Sequence, residues 1–148
     1  MYKVNTDAAI KGGQSRVGVG IVVRNHSGLM MGSSSQNIVA FFSPQVAEAM
    51  AILRGIRFAV DSGLLPAVVE SDAKAVVELV NGGVGPLADI GSVVLDFLSF
   101  TSRFLISISY VSRKTNMVAH SLTQLALSSD ENFFVGVSPS ECGGFGSG

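Results

Sequence analysis

Residues 3–10, KVNTDAAI, decide the fold of this chain because they place a carboxylate inside its first strand. Apolar and polar residues alternate along the stretch, which is the period of a β-strand. Aspartate is depleted in strands, and a buried carboxylate is costly unless a cation accompanies it. Asp7 therefore predicts a positively charged partner, which is either a basic side chain or a metal ion.

Composition indicates one folded domain. A chain of 148 residues can bury one core but is too short for two. Hydrophobic residues make up 47% and charged residues 14%, which excludes disorder for most of the length. We find no stretch like a membrane span of about 20 apolar residues, and no basic-then-apolar leader. With Cys142 as the single cysteine, we expect an intracellular protein, nuclear or cytoplasmic, without membrane contact.

The charge balance argues against a strongly basic nucleic-acid binder. Ten basic residues oppose eleven acidic ones, for a net charge of −1. A dedicated nucleic-acid protein usually carries a basic excess. Any contact with nucleic acid is therefore expected to be weak. We expect a monomer, and the position of Met1 directly before the first strand suggests a domain cut from a longer chain.

The chain follows the order βββ-α-β-α-α-β-α. Three strands joined by short turns are followed by a helix with an N-cap at Ser43 and Pro44 at its first position. A short strand then runs directly into a helix, as in a parallel α/β unit. Residues 131–148 are expected to form a loose tail. After the opening strand, the predicted strands are 17–24, 29–35, 66–72 and 104–111, and the predicted helical segments are 44–61, 73–80, 89–102 and 114–127.

Two further carboxylates occupy positions that fit a metal site. Glu48 lies one turn into the first helix, where an acid is also favoured by the helix dipole alone. Asp72 follows the fourth strand, where it either serves as a helix N-cap or lines a site at the carboxyl end of the strand. If the first and fourth strands pair in parallel, both acids meet Asp7. Three carboxylates at one point repel unless a divalent ion holds them, and oxygen ligands favour Mg²⁺ or Mn²⁺ over zinc.

Five blocks of sequence then resemble one family in its own order. The chain resembles the ribonuclease H family, and more closely the plant ribonuclease H-like domains related to the ribonuclease H region of non-LTR retrotransposon reverse transcriptases. The resemblance covers about residues 2–127, and the blocks that carry it are 4–9, 18–25, 47–55, 69–72 and 113–122.

The resemblance implies an α/β fold with a mixed five-stranded sheet in the order 3-2-1-4-5, flanked by helices, within residues 2–130. It implies endonucleolytic hydrolysis of the RNA strand of RNA/DNA hybrids. Two Mg²⁺ (or Mn²⁺) ions would hold the scissile phosphate, one generating the attacking hydroxide and the other stabilising the leaving oxygen. The metal-binding and catalytic carboxylates would be Asp7, Glu48 and Asp72.

The sequence departs from the founding enzymes at the fourth catalytic position, where His120 replaces an aspartate. A neutral imidazole is a weaker ligand for Mg²⁺ than a carboxylate, although it can act as a general acid or base. The alternative is a helix histidine that is hydrogen-bonded within the fold. This departure keeps a second function open, namely a catalytically weak or inactive domain that binds nucleic acid or protein.

Four residues are expected to contact the substrate. The RNA 2′-hydroxyl distinguishes RNA from DNA, and backbone and amide groups can bind it. The RNA/DNA hybrid is expected to bind weakly, because few lysines and arginines are available to neutralise phosphates. The predicted substrate-binding residues are Asn5, Gly12, Gly13 and Asn116.

Overall fold

The computed structural model describes residues 1–11, 15–40, 43–82, 105–128 and 133–136. These residues form six strands and three helices in the order βββαβαβαβ. The predicted segment 89–102 and the predicted turn at Gly12 and Gly13 lie outside the described residues. The elements are β1 Tyr2–Ile10, β2 Arg16–Arg24, β3 Met30–Val39, α1 Pro44–Asp61, β4 Ala67–Ser71, α2 Lys74–Gly82, β5 Ile106–Tyr110, α3 Met117–Ser128 and β6 Phe133–Gly136.

The strands form one mixed sheet in the order β5-β4-β1-β2-β3-β6. β1, β2 and β3 are antiparallel neighbours, and β4 pairs in parallel with both β1 and β5. The predicted five-strand order 3-2-1-4-5 is therefore confirmed. The sheet also contains β6, which pairs antiparallel with β3.

β3 continues beyond the end that the sequence predicted near residue 35. The extension begins with Gln36 and Asn37, and the polar side chains at and just after the predicted end are paired within the fold. The Ser35 hydroxyl donates a hydrogen bond to the Leu122 carbonyl at 2.7 Å, and the Asn37 amide donates to the Ala126 carbonyl at 2.7 Å. A polar strand is stable here because its side chains bind carbonyls of the helix packed on it.

The structure corrects two predicted boundaries. Residues 133–136 belong to the sheet, although the sequence placed them in a loose tail from residue 131. They form strand hydrogen bonds along the edge of β3, with Phe133 opposite Ser35. The last helix begins at Met117 rather than Lys114, because a turn precedes it and the Asn116 N–H bonds the Arg113 carbonyl at 3.0 Å. The rest of the predicted tail lies outside the described residues, and a domain boundary near residue 130 otherwise stays a prediction.

α1 covers one face of the sheet and is held at both ends as predicted. The Ser43 hydroxyl accepts a hydrogen bond from the Val46 N–H at 3.2 Å, and Gly63 ends the segment with φ +70°. A Cβ at Gly55 would lie 2.5 Å from Thr6 Cγ2, so the helix lies very close to β1. The core between α1 and the sheet includes the fully buried residues Val4, Val17, Val19, Ile21, Val23, Ile52 and Ile56.

α3 lies against the opposite face, directly over the glycines of β2. A Cβ at Gly18 would lie 2.6 Å from the Thr123 carbonyl, and one at Gly20 would collide with the Ala119 carbonyl. The alternation VGVG therefore has two uses, since valines fill the α1 core while glycines admit the α3 backbone. In the part of the chain that the structure describes, we find no helix long and apolar enough to cross a membrane.

Replacing Gly20 with alanine is expected to destabilise the protein by about 2–4 kcal/mol, because the new methyl group meets helix backbone that cannot rotate away. Gly82→Ala is the matched control, since a Cβ there meets nothing within 4 Å, and it is expected to be neutral or slightly stabilising. Chemical denaturation of both variants measures the effect. Equal stability of Gly20→Ala and the wild type would show that α3 does not depend on this close approach.

Candidate active site

Strand register brings the first two carboxylates together. β1 and β4 pair in parallel, with Thr6 opposite Ser71. The residue after each of these is an aspartate, so Asp7 on β1 and Asp72 just after β4 occupy neighbouring positions. This is where ligand sites form in open α/β sheets. The Ser71 hydroxyl accepts the Ala73 N–H at 3.1 Å and so shapes the turn that leads into α2.

Glu48 joins them from α1. Its carboxylate accepts a hydrogen bond from the Ala8 N–H. One ligand oxygen from each of Asp7, Glu48 and Asp72 can be chosen so that all three lie within 4.8 Å of one another. The structure thus brings together the three acids that the sequence proposed as metal ligands, and their role as ligands stays a prediction.

Burial and mutual repulsion make the ionised cluster costly without a cation. Asp7 is 1% exposed. Burial, opposed by the hydrogen bond to His120 and reinforced by the charge of Asp72, raises the pKa of Asp7 above its usual value. Burial first, and then the charges of Asp7 and Asp72, raise the pKa of Glu48 to about 8.

The oxygens left without hydrogen bonds fit a divalent ion. Asp7 Oδ1, Glu48 Oε1 and Asp72 Oδ2 are buried and accept no hydrogen bond from the described residues. Buried polar atoms are nearly always paired, so three such oxygens in one cluster are suited to binding a cation. An all-oxygen set of hard anionic donors suits Mg²⁺ or Mn²⁺.

The stability of the metal-free protein is expected to fall by about 2–4 kcal/mol as pH rises from 4.5 to 8. Between these values the folded protein retains the Glu48 proton that the unfolded chain has lost. Folding therefore takes up a proton, and a rising pH opposes it. Mg²⁺ or Mn²⁺ should stabilise the protein more at pH 8 than at pH 5, because it binds the ionised form.

Thermal unfolding in EDTA and in each metal ion, from pH 5 to 8.5, tests this expectation. Glu48→Gln is the control, because its amide carries no titrating proton. If the stability of the wild type depended on pH as little as that of Glu48→Gln, the raised pKa of Glu48 would be contradicted.

His120 lies behind Asp7. Its Nδ1 is 2.9 Å from Asp7 Oδ2, and the Thr123 hydroxyl is 3.4 Å from the same oxygen. An ionised carboxylate only accepts hydrogen bonds, so Nδ1 must carry a proton whenever Asp7 is charged. His120 does not join the set of mutually close ligand atoms. The geometry therefore makes it a hydrogen-bond donor that orients Asp7 when that carboxylate is ionised.

Arg113 was not singled out from the sequence, yet it contacts the site. Its Nε lies 3.5 Å from Asp72 Oδ2, and a terminal nitrogen lies 3.3 Å from His120 Nδ1. Its charge lowers the pKa of both Asp7 and Glu48, although by less than burial raises them. Arg113 precedes His120 by seven residues, and only the turn between them brings its side chain back to the site. The sequence alone did not predict that turn.

The two asparagines proposed as substrate contacts are completely buried. The Asn5 amide donates to Glu70 Oε1 and to Asn116 Oδ1, both at 3.1 Å, and its oxygen accepts from Arg24 at 3.0 Å. The Asn116 amide donates to the Thr6 carbonyl at 2.7 Å. These bonds tie the start of α3 to β1 one residue from Asp7. Substrate contact by Asn5 and Asn116 stays a prediction, and the two glycines proposed with them lie outside the described residues.

A cavity of about 230 Å³ opens beside Glu48, between the N-termini of α1 and α2. Of the three clustered acids, Glu48 lines this cavity. Lys74 is the cationic residue among those that line it, and its ammonium group also lies 5.9 Å from the centre of the Tyr110 ring. The lining residues include Pro44, Gln45, Glu48, Ala73, Lys74 and Val76.

Comparison with known proteins agrees with this architecture. The family model described as reverse transcriptase-like matches residues 5–126. A curated Arabidopsis thaliana protein named as a ribonuclease H protein is 30% identical over 129 residues, which is 85% of this chain and 20% of that protein. The chain therefore spans about a fifth of the length of the curated relative it matches.

Solved structures give the same result. The N-terminal RNase H domain of a Mycobacterium tuberculosis protein is 27% identical, with a TM-score of 0.75 over 86% of this chain and 93% of that one. Ribonuclease H1 of Halobacterium salinarum, 22% identical, superposes with a TM-score of 0.79 over 86% and 97% of the two chains. The chain thus has the ribonuclease H fold and belongs to the reverse transcriptase-like family, as its five sequence blocks predicted.

Proposed function

We propose that this domain hydrolyses the RNA strand of RNA/DNA hybrids with the help of divalent metal ions. The convergence of Asp7, Glu48 and Asp72, with their oxygens within 4.8 Å of one another, carries the proposal. A purely structural domain has no use for three converging carboxylates that repel each other. A hydrolase that must hold cations against a phosphate does.

Each carboxylate would contact the metal ions from a different side of the site. Asp7 is held by His120 at one oxygen, and its other oxygen is free of hydrogen bonds from the described residues, so it can serve ions on either side. Glu48 and Asp72 flank it from α1 and from the end of β4. Bound Mg²⁺ or Mn²⁺ would supply Lewis acidity toward the scissile phosphate and lower the pKa of water. We propose two ions, as the resemblance to the ribonuclease H family implies.

RNA/DNA hybrid is the proposed substrate. One structural neighbour with the same fold, LC11-RNase H1, was crystallised with an RNA/DNA hybrid; it is 18% identical, with a TM-score of 0.76 over 86% of this chain and 97% of that one. In this chain, the cavity beside Glu48 carries Lys74, whose ammonium group can neutralise a phosphate. With a net charge of −1, binding is expected to be weak and sensitive to salt.

The decisive experiment uses a hybrid labelled on either strand, incubated with Mg²⁺, with Mn²⁺ or with EDTA. Cleavage of the RNA strand alone, dependent on a metal ion, supports the proposal. Duplex DNA and duplex RNA of the same sequence serve as controls. Cleavage that persists in EDTA, or that is equal on all duplexes, would overturn it.

His120 favours a second candidate, a domain that keeps the fold and binds nucleic acid or protein without turnover. The imidazole donates to Asp7 rather than adding a fourth anionic ligand, which weakens the site for Mg²⁺. This candidate predicts salt-dependent binding of the hybrid with no cleavage in either metal ion. The same labelled substrate distinguishes the two functions when binding and cleavage are measured together.

A further inference from the structure

Arg113 approaches the carboxylate cluster from outside the buried set. Its side chain is 62% exposed, whereas that of Asp72 is 5% exposed. The guanidinium thus reaches from solvent to a buried acid, with Nε 3.5 Å from Asp72 Oδ2. That same oxygen accepts no hydrogen bond from the described residues. The contact is an ion pair without a well-formed hydrogen bond, and such a pair is easily exchanged.

The contact with His120 does not hold the guanidinium. A guanidinium only donates, and Nδ1 of His120 is itself the donor to an ionised Asp7. Two donors facing each other at 3.3 Å gain nothing. The guanidinium therefore remains beside His120 because Asp72 attracts it. If another cation neutralises Asp72, this attraction is lost.

The backbone of Arg113 is fixed, while most of its side chain is exposed to solvent. Its carbonyl accepts the Asn116 N–H at 3.0 Å, and the buried Asn116 amide is tied to the Thr6 carbonyl at 2.7 Å. The base of the side chain is thus anchored to β1, one residue from Asp7. A long side chain on an anchored turn can change partners without moving the turn.

We propose that Arg113 sets the affinity of the site for divalent ions. Its guanidinium neutralises Asp72 in the metal-free protein and leaves that carboxylate when an ion binds, which frees it to pair with a phosphate of the nucleic acid. The inference rests on the proposed function, since it takes the three carboxylates to be the metal site. Metal and arginine compete for Asp72, because both are cations and share one carboxylate.

Metal affinity in the absence of nucleic acid tests the competition. Arg113→Ala in the full 148-residue chain is expected to bind Mg²⁺ and Mn²⁺ about five- to tenfold more tightly than the wild type in titration calorimetry, as for a modest coupling between sites. Arg113→Lys should lie between them, and Arg113→Gln should match alanine. Lys114→Ala removes the same charge one residue away and is expected to leave the affinity unchanged.

Two further readouts separate competition from a merely structural role. In EDTA at pH 8, Arg113→Ala should melt below the wild type, and this difference should vanish in an Asp72→Asn background. In hydrolysis assays, Arg113→Ala should need less Mg²⁺ for half-maximal rate. It should also show a higher KM for the hybrid, because it has no guanidinium to pair with a phosphate.

Each outcome decides one way. Tighter binding in the alanine and glutamine variants alone supports the inference. Equal or weaker binding, or equal tightening by Lys114→Ala, overturns it while leaving the proposed function standing. A wild type that binds neither ion overturns both, and the circular dichroism spectrum of each variant confirms that folded protein was measured.

Discussion

Replacing Asp7 with asparagine is expected to lower hydrolysis of an RNA/DNA hybrid by at least about 1,000-fold. When several residues act as one catalytic unit, removing one of them abolishes most of the rate enhancement that the unit provides. The substitution keeps the shape of the side chain, and its oxygen can still accept the hydrogen bond from His120. It removes the charge that metal ions would share. Calorimetric titration should show that binding of Mg²⁺ and Mn²⁺ is lost along with activity.

The same variant should be more stable than the wild type when no metal is present. Asp7 raises the pKa of Glu48 and is itself costly to ionise where it is buried. Removing its charge relieves both effects, by about 1–2 kcal/mol at pH 8. Asp61→Asn, at the exposed end of α1, should change neither property. Loss of activity together with loss of stability would instead point to a fold that depends on Asp7.

Replacing His120 with aspartate is expected to raise Mg²⁺-supported hydrolysis about tenfold, because a carboxylate there can add a fourth oxygen ligand where the imidazole only orients Asp7. The new acid would lie beside Asp7, where His120 now donates at 2.9 Å. In EDTA the variant should melt lower than the wild type, since a donor has become a fourth repelling anion. Initial rates over a range of Mg²⁺ concentrations measure the gain.

His120→Ala is expected to lower activity by about tenfold, a loss typical of removing one orienting hydrogen bond. Without the donor, the pKa of Asp7 rises further, so in fewer molecules is Asp7 ionised and able to bind a cation. Gln124→Ala, on the exposed side of α3, is the control. If both His120 variants match the wild type, the residue is structural. A wild type without cleavage that gains it on His120→Asp would identify the natural domain as a binder.

The sequence predicted the sheet well because its strands carry strong local patterns. The alternation around Asp7 and the valine–glycine repeat of β2 each indicate a strand, and parallel pairing of β1 with β4 then brings Asp72 next to Asp7. β3 was predicted too short because Gln36 and Asn37, beyond its predicted end, are paired with groups on the two helices packed against the sheet.

The site was harder to predict in its details. Three acids on three elements can be placed at one point from topology alone. The proximity of Arg113 to Asp72 depends on the turn before α3, and the burial of Asn5 depends on Glu70, Asn116 and Arg24 meeting around it. Long-range side-chain contacts of this kind leave no periodic signal. A polar residue expected to face substrate can therefore lie inside the protein.

The glycines of β2 make the two faces of the sheet respond differently to substitution. On the α1 face, the core consists mainly of side chains in contact, so a neighbour can compensate for a change of side-chain volume. On the α3 face, backbone lies on backbone, so no compensating change of side-chain volume is available at Gly18 or Gly20. A substitution at Gly18 or Gly20 is therefore expected to displace α3, the helix that carries His120.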